Sequence, residues 1–191
     1  MPTMIWPARE QGWQILNQYT KNPNLVKHGL AVEAVMRAIA QAHGEDVELF
    51  GLVGLLHDFD YEMYPHIGQH TIEGGKILLN AGFPDRIVRA IRSHVTENGL
   101  PRDDLLERAI FAADELTGFV VAVTLVRPGK SLSEVSPRSV IKKLKDKGFA
   151  RGVNRNDVYD GVKGLGEDLE AFIAFVVDTL KPHAAELGLN P

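Results

Sequence analysis

The apolar run Gly51-Leu-Val-Gly-Leu-Leu56, followed at once by His57-Asp58, constrains this chain more than any other stretch. Residues 46–58 are nearly all apolar, so they predict a helix buried on every side and central to the fold. An imidazole and a carboxylate at the end of such a helix lose hydration unless something pairs with both. A divalent metal is the natural partner. Taken with His28 upstream and Asp114 downstream, the pair spells H…HD…D.

Helical periodicity dominates the rest of the chain. A short helix is expected over residues 8–19, after Pro7. Asn22-Pro23-Asn24 is turn chemistry, with Asn24 as the expected cap of a helix reaching about residue 42. Its apolar stripe is Leu30, Ala31, Ala34, Val35, Ala38, Ile39 and Ala42. Further helices are predicted over 70–81, from Pro84 to His94, and over 103–126, 136–147, 154–163 and 167–185. No alternating β-branched run is bounded by hairpin signals, and there is no internal repeat. The expected fold class is all-α, a compact helical bundle. At 191 residues the chain suits one core with a small appendage. The expected division is an N-terminal helix in residues 1–23, a metal-binding core in 24–126, and a C-terminal helical extension in 127–191.

Cysteine is absent, which excludes disulfides and thiolate metal sites and leaves His, Asp and Glu as the possible ligands. The start MPTMIWPAREQGW lacks the basic opening and apolar core of a signal peptide. No apolar run reaches the roughly 18 residues that a membrane span needs. A cytoplasmic protein without a membrane partner is expected. Nine of the 21 basic residues lie between Arg127 and Arg155, opposed there only by Glu134 and Asp146, although the whole chain carries a net charge of −4. A basic segment on an acidic protein is either a place for an anion or a solvated helix face. The acidic balance of the whole, with Phe149 the one aromatic residue in the segment, argues against specific nucleic-acid binding.

Four of the seven histidines sit on predicted helices or their ends. His28 lies near the start of the first long helix, His57 ends the second, His70 opens the next, and His94 ends the one after. His43, His66 and His183 lie in polar or loop contexts. Asp114, in Ala112-Ala113-Asp114-Glu115-Leu116, would bury a charge inside an apolar helix and needs a cation or several donors. Asp60 and Glu62 can orient ligating histidines, or belong to a solvated loop.

The ordered set resembles the HD superfamily of metal-dependent phosphohydrolases, whose pattern is a first His, an HD pair and a distant Asp on a helical core. The matching surroundings are His28-Gly-Leu-Ala-Val-Glu-Ala-Val, Gly54-Leu-Leu-His-Asp and Arg108-Ala-Ile-Phe-Ala-Ala-Asp. His70-Thr-Ile-Glu-Gly-Gly-Lys-Ile-Leu and Ile91-Arg-Ser-His94 are similar to the extra His-bearing segments of members that bind two metals. The resemblance spans roughly residues 24–120. It implies that His28, His57, Asp58 and Asp114 hold one metal, and that Asp58 bridges to a second held by His70 and His94. Fe, Mn, Zn, Ni or Co would suit such ligands. Two ions about 3.5–4 Å apart can share a hydroxide, with Asp58 as the central catalytic ligand.

Members that cleave cyclic di-GMP carry a second late histidine, a Gly-Tyr-Pro tripeptide and a Lys three residues after the HD Asp. Here the corresponding features are Val95, Thr96-Glu-Asn-Gly-Leu-Pro101 and Tyr61, which sets the chain apart from that group. The function implied is hydrolysis of a small phosphorylated metabolite or nucleotide through a metal-activated hydroxide. Arg138, Lys142 and Lys145, which share a helix face, are the expected phosphate contacts. Two alternatives are a di-iron oxygenase on the same fold and a non-catalytic regulatory HD domain.

Overall fold

Proline and short polar side chains decide where the helices begin. The computed structural model describes residues 6–190, so residues 1–5 of the expected N-terminal segment, and Pro191, lie outside the described residues. Helix α1 (Arg9–Tyr19) follows Pro7-Ala8. Helix α2 (Pro23–His43) has Pro23 at its first position, where a missing N–H costs nothing. Its cap is therefore Asn22 rather than the expected Asn24, and Asn22 Oδ1 accepts the Asn24 N–H at 2.9 Å. Asp46 caps α3 (Val47–Leu56) by accepting the N–H groups of Glu48 and Leu49 at 3.0 and 3.1 Å.

Two shorter helices follow, α4 (Ile72–Asn80) and α5 (Asp85–Ser93). Asp104 and Glu107 close a capping box at the start of α6 (Leu105–Leu125). The C-terminal part contains α7 (Pro137–Leu144), α8 (Arg155–Leu165), α9 (Leu169–Leu180) and α10 (Ala184–Leu187).

Several boundaries differ from the sequence expectation for local reasons. Helix α3 stops at Leu56, so His57 is its C-cap and Asp58 stands in the turn beyond. Helix α4 begins at Ile72, two residues after His70. Helix α7 ends at Leu144, and beyond it the Asp146 carboxylate accepts the Gly148 N–H at 3.1 Å to shape a turn. The last predicted helix, 167–185, is split. Pro182 has no N–H to continue the ladder, so α9 ends at Leu180 and a 3₁₀ turn over Lys181–His183 leads into α10.

Helices α2 and α3 form the central pair, with α1 on α3 and α6 across α2. Phe50, Leu52, Val53, Leu55 and Leu56 of α3 are all essentially inaccessible to solvent, as a helix buried on every side requires. A Cβ on Gly54 would stand 2.9 Å from both Glu33 Cα and Val32 O, so glycine there lets the two backbones touch. Gly161 does the same where α8 crosses α6, with a hypothetical Cβ 2.8 Å from Ala112 Cα. Helix α9 packs against α2, α6, α7 and α8. The described residues contain no strand; an isolated pairing of Ser131 with Asn190 ties the end of the chain to the loop after α6. None of their helices is long and apolar enough to cross a membrane.

The close approach at Gly54 makes a direct prediction. Gly54→Ala should lower stability by about 1–3 kcal/mol through overpacking. Gly164→Ala in α8, where a Cβ meets nothing within 4 Å, should be neutral or stabilise by up to about 1 kcal/mol. Chemical denaturation of the two variants beside the parent protein checks both.

Candidate metal centre

Six side chains from separate parts of the chain converge at one end of the α2–α3–α6 core. His28 comes from the second turn of α2, His57 and Asp58 from the turn after α3, and His70 from the turn before α4. His94 caps the end of α5, and Asp114 lies midway along α6. Two groups form within this set. The ligand atoms of His28, His57, Asp58 and Asp114 lie within 4.8 Å of one another, as do those of Asp58, His70 and His94.

In the first group His28 Nε2 lies 3.1 Å from His57 Nε2 and 3.0 Å from Asp114 Oδ1. His57 Nε2 is 3.2 Å from Asp114 Oδ1 and 3.6 Å from Asp58 Oδ2. In the second group the other oxygen of Asp58 is used. Asp58 Oδ1 is 3.1 Å from His70 Nε2 and 3.4 Å from His94 Nε2. One carboxylate thus faces each group with a different oxygen.

The far sides of three imidazoles reveal how they are prepared. His57 Nδ1 lies 2.8 Å from the Gly54 carbonyl, His94 Nδ1 lies 2.6 Å from the Ile91 carbonyl, and His70 Nδ1 lies 2.9 Å from Asp60 Oδ1. A carbonyl can only accept, so Nδ1 of His57 and of His94 carries the proton and, in the neutral ring, Nε2 is left as a lone pair facing inward. Lone pairs and carboxylate oxygens crowded at about 3 Å repel unless a proton or cation lies between them. Ligands held about 2.1 Å from one ion are themselves about 3.0–3.4 Å apart. The donor set and its spacing therefore fit a divalent metal.

Asp60 organises the second group. It is completely buried, and its Oδ2 accepts the N–H groups of Thr71 and Gly74 at 2.8 and 3.0 Å while Oδ1 takes His70. Thr71 adopts a left-handed backbone (φ 62°) that a β-branched residue tolerates only when its surroundings over-determine it. Asn98 donates to the Thr71 hydroxyl at 2.8 Å and holds it there. Glu62, the other carboxylate flagged from sequence, instead accepts the backbone N–H groups of Lys21 and Asn22 and plays no part in the cluster.

Electrostatics follow the geometry. Burial alone would push the His57 pKa down, but Asp58 and Asp114 outweigh it and raise it to about 9. Burial likewise opposes a rise at His70, but Asp58 and Asp60 overcome it and raise the pKa to about 9. Burial disfavours the charged forms of Asp58 and Asp114, yet the imidazoles around them hold both well below the usual carboxylate range. Burial, reinforced by Asp114, pushes Glu115 up to about 8.

The cluster opens into a cavity of about 530 Å³. Tyr61, Ile67, Val95, Phe111 and Val153 supply apolar wall, and Glu97, Glu115 and Asp157 supply charge. Arg138, Lys142 and Lys145 are not among its lining residues. Helix α7, which carries Arg138 and Lys142 and is capped by Lys145, packs on α9 and α6; Arg138 is 89% exposed and lies 3.6 Å from Glu170 of α9, and the two lysines are exposed. Within the basic segment, Arg127 and Arg155 are half-buried, and Arg155 donates to the Ala150 and Val153 carbonyls at 2.7 Å. The three cavity carboxylates were not anticipated, though Glu115 beside Asp114 in an apolar run was a signal; Asp157 gave none.

Residues 25–118 match the HD domain family. The chain therefore carries an HD domain. It is also 32% identical over 127 residues to a curated protein named Ribonuclease Y from Desulfotalea psychrophila. That similarity covers 64% of this chain but only 22% of the relative, so the chain spans less than a quarter of that protein's length. No solved structure matches.

The raised imidazoles set a pH dependence. A folded pKa of about 9, against about 6.5 when unfolded, stabilises fully below pH 6.5 and is lost as pH rises through 9. The raised Glu115 acts in the same direction. Metal-free protein should therefore lose thermal stability steadily from about pH 6.5 to 9, and added Mn²⁺ should flatten that slope by replacing the protons. Calorimetric melting with and without metal measures it; a metal-free melting temperature that rises across this range would contradict the assignment.

Proposed function

We propose that the protein is a metal-dependent hydrolase of a small phosphorylated molecule. In this reading His28, His57, Asp58 and Asp114 hold one divalent ion, and Asp58 reaches across to a second held by His70 and His94. The observation that carries it is the convergence of inward Nε2 lone pairs, their Nδ1 atoms anchored on oxygen, around the two faces of Asp58. When bound, a pair of divalent ions lowers the pKa of water and binds phosphoryl oxygens.

The residues of the chain supply the rest. The Gly54 and Ile91 carbonyls fix the tautomers of His57 and His94, so both are ready to ligate without reorganising. Asp60 makes His70 a stronger donor and locks its ring plane. Tyr61, Ile67 and Phe111 supply an apolar wall against which the non-phosphate part of a substrate would pack. A relative whose name is that of a ribonuclease raises a nucleic-acid substrate as a rival. The small-molecule reading is favoured because no Lys or Arg lines the cavity among the described residues, whereas a polynucleotide backbone is bound through such side chains.

Three outcomes test the proposal. Purified protein should contain tightly bound transition metal, and Asp58→Ala should strip it and abolish phosphoester turnover. Asp60→Ala should weaken metal binding by about 10–100-fold while leaving one ion in place. Screening the wild type with Mn²⁺ or Co²⁺ against phosphomonoesters, nucleotides and a short oligoribonucleotide should find turnover among the small substrates. Cleavage of the oligoribonucleotide alone, or an oxygen-dependent reaction with bound iron, would replace this reading.

A further inference from the structure

Buried carboxylates elsewhere in the molecule are matched with guanidinium groups. Glu33, 5% exposed, receives Arg9 at 2.7 Å and Arg37 at 2.9 Å. Glu107, 4% exposed, receives Arg89 at 2.6 Å. The carboxylates that face the cavity are treated differently. Glu97 from the turn after α5, Glu115 from α6 and Asp157 from α8 form no ion pair among the described residues.

Their partners are neutral. Asp157 accepts from the Asn154 amide at 2.8 Å and from Thr96. Glu115 is hydrogen-bonded by the backbone N–H of Asn154. Arg102, the guanidinium whose charge reaches Asp157, is engaged elsewhere. It donates to the Ser93 carbonyl at 2.8 Å and the Thr96 hydroxyl at 3.2 Å, and it stacks on Phe111 with its Cζ 3.4 Å from the ring centre. Nor do the three carboxylates make another metal site, since the described residues that could hold an ion form only the two groups around Asp58.

The cavity thus has two unlike sides. One carries the candidate metal ligands, and the other carries three carboxylates that form no ion pair among the described residues, with only the charge of Arg102 reaching Asp157. Two divalent ions would attract a phosphate on the first side. On the second side an anion would be repelled, and a substrate bearing only phosphate and neutral groups would leave acids desolvated without compensation. We propose that the substrate is a small phosphate ester or phosphonate that also carries an ammonium group, received by Glu115 and Asp157 with Glu97 at the rim. This rests on the metal-centred reading of the cavity given above. Asp157 and its partner Asn154 lie outside residues 25–118, so the C-terminal part of the chain sets the choice of substrate while the HD domain sets the chemistry.

Binding of two matched, non-hydrolysable probes tests this without reference to turnover. Isothermal titration of Mn²⁺-loaded protein at about pH 8.5, where the amine stays protonated, would compare 3-aminopropylphosphonate with propylphosphonate. The amine should bind about tenfold tighter or more, and the advantage should shrink with salt. Glu115→Gln with Asp157→Asn should bring the ratio close to one, with metal content unchanged and propylphosphonate bound no more weakly than by the wild type. Glu97→Gln, which touches no buried position, should reduce the ratio by a smaller factor.

Equal affinities in the wild type, or a preference that survives the double substitution, would overturn the ammonium site and leave the metal reading standing. Tighter binding of a four-nucleotide oligoribonucleotide than of 3-aminopropylphosphonate would overturn it as well. Protein that takes up no metal would instead fail the metal reading, and metal content is measured in the same samples. The wild-type probe comparison needs no variant to fold.

Discussion

The hydrogen bond from His57 Nδ1 to the Gly54 carbonyl, 2.8 Å long, is the contact on which the centre depends. It exists because α3 stops at Leu56, leaving the Gly54 carbonyl without its helical N–H partner and available to a side chain. The same glycine lets α3 press directly on the backbone of α2, which carries His28. A single residue therefore sets the separation of two helices and the orientation of the imidazole between them. Loss of that packing would move His28 away from His57 before it exposed much apolar surface.

The crowding of acceptors explains why the neighbourhood is so heavily anchored. Gly54 O, Ile91 O and Asp60 each spend hydrogen-bonding capacity on holding a ring, and Thr71 accepts an unfavourable backbone geometry to complete the arrangement. A site that had only to be filled by packing would not need these supports. They resist the mutual repulsion of Nε2 atoms and carboxylates directed at one point.

Much of this was legible in the amino-acid sequence because it depended on local pattern. The unbroken apolar run before His57 required a central helix, and the order H…HD…D with His70 and His94 identified side chains that do converge. Asp60 was visible as one of two possible orienting carboxylates, but only the fold separates it from Glu62. The basic segment could not be placed from sequence because clustering along a helix says nothing about which way that helix faces; Arg138 and Lys142 lie on α7, Lys145 caps its end, and none of the three lines the cavity. Asp157 was invisible for the opposite reason. It lies more than forty residues beyond Asp114 in an ordinary polar helix, and only the crossing of α8 over α6 at Gly161 brings it to the cavity wall.

The two halves of the centre are built on ground of different firmness. The first draws on α2, α6 and the end of α3, which are the deepest elements of the core. The second hangs on the loop and short helices between Asp58 and His94, which include the exposed side chains of Tyr61, Met63 and Ile67. Backbone amides of residues 61–69 should therefore exchange with deuterium by small local openings, whereas those of α2 and α3 exchange only through global unfolding. His70, by contrast, is buried and tied to Asp60, so the firm part of the second half begins where that exposed loop ends.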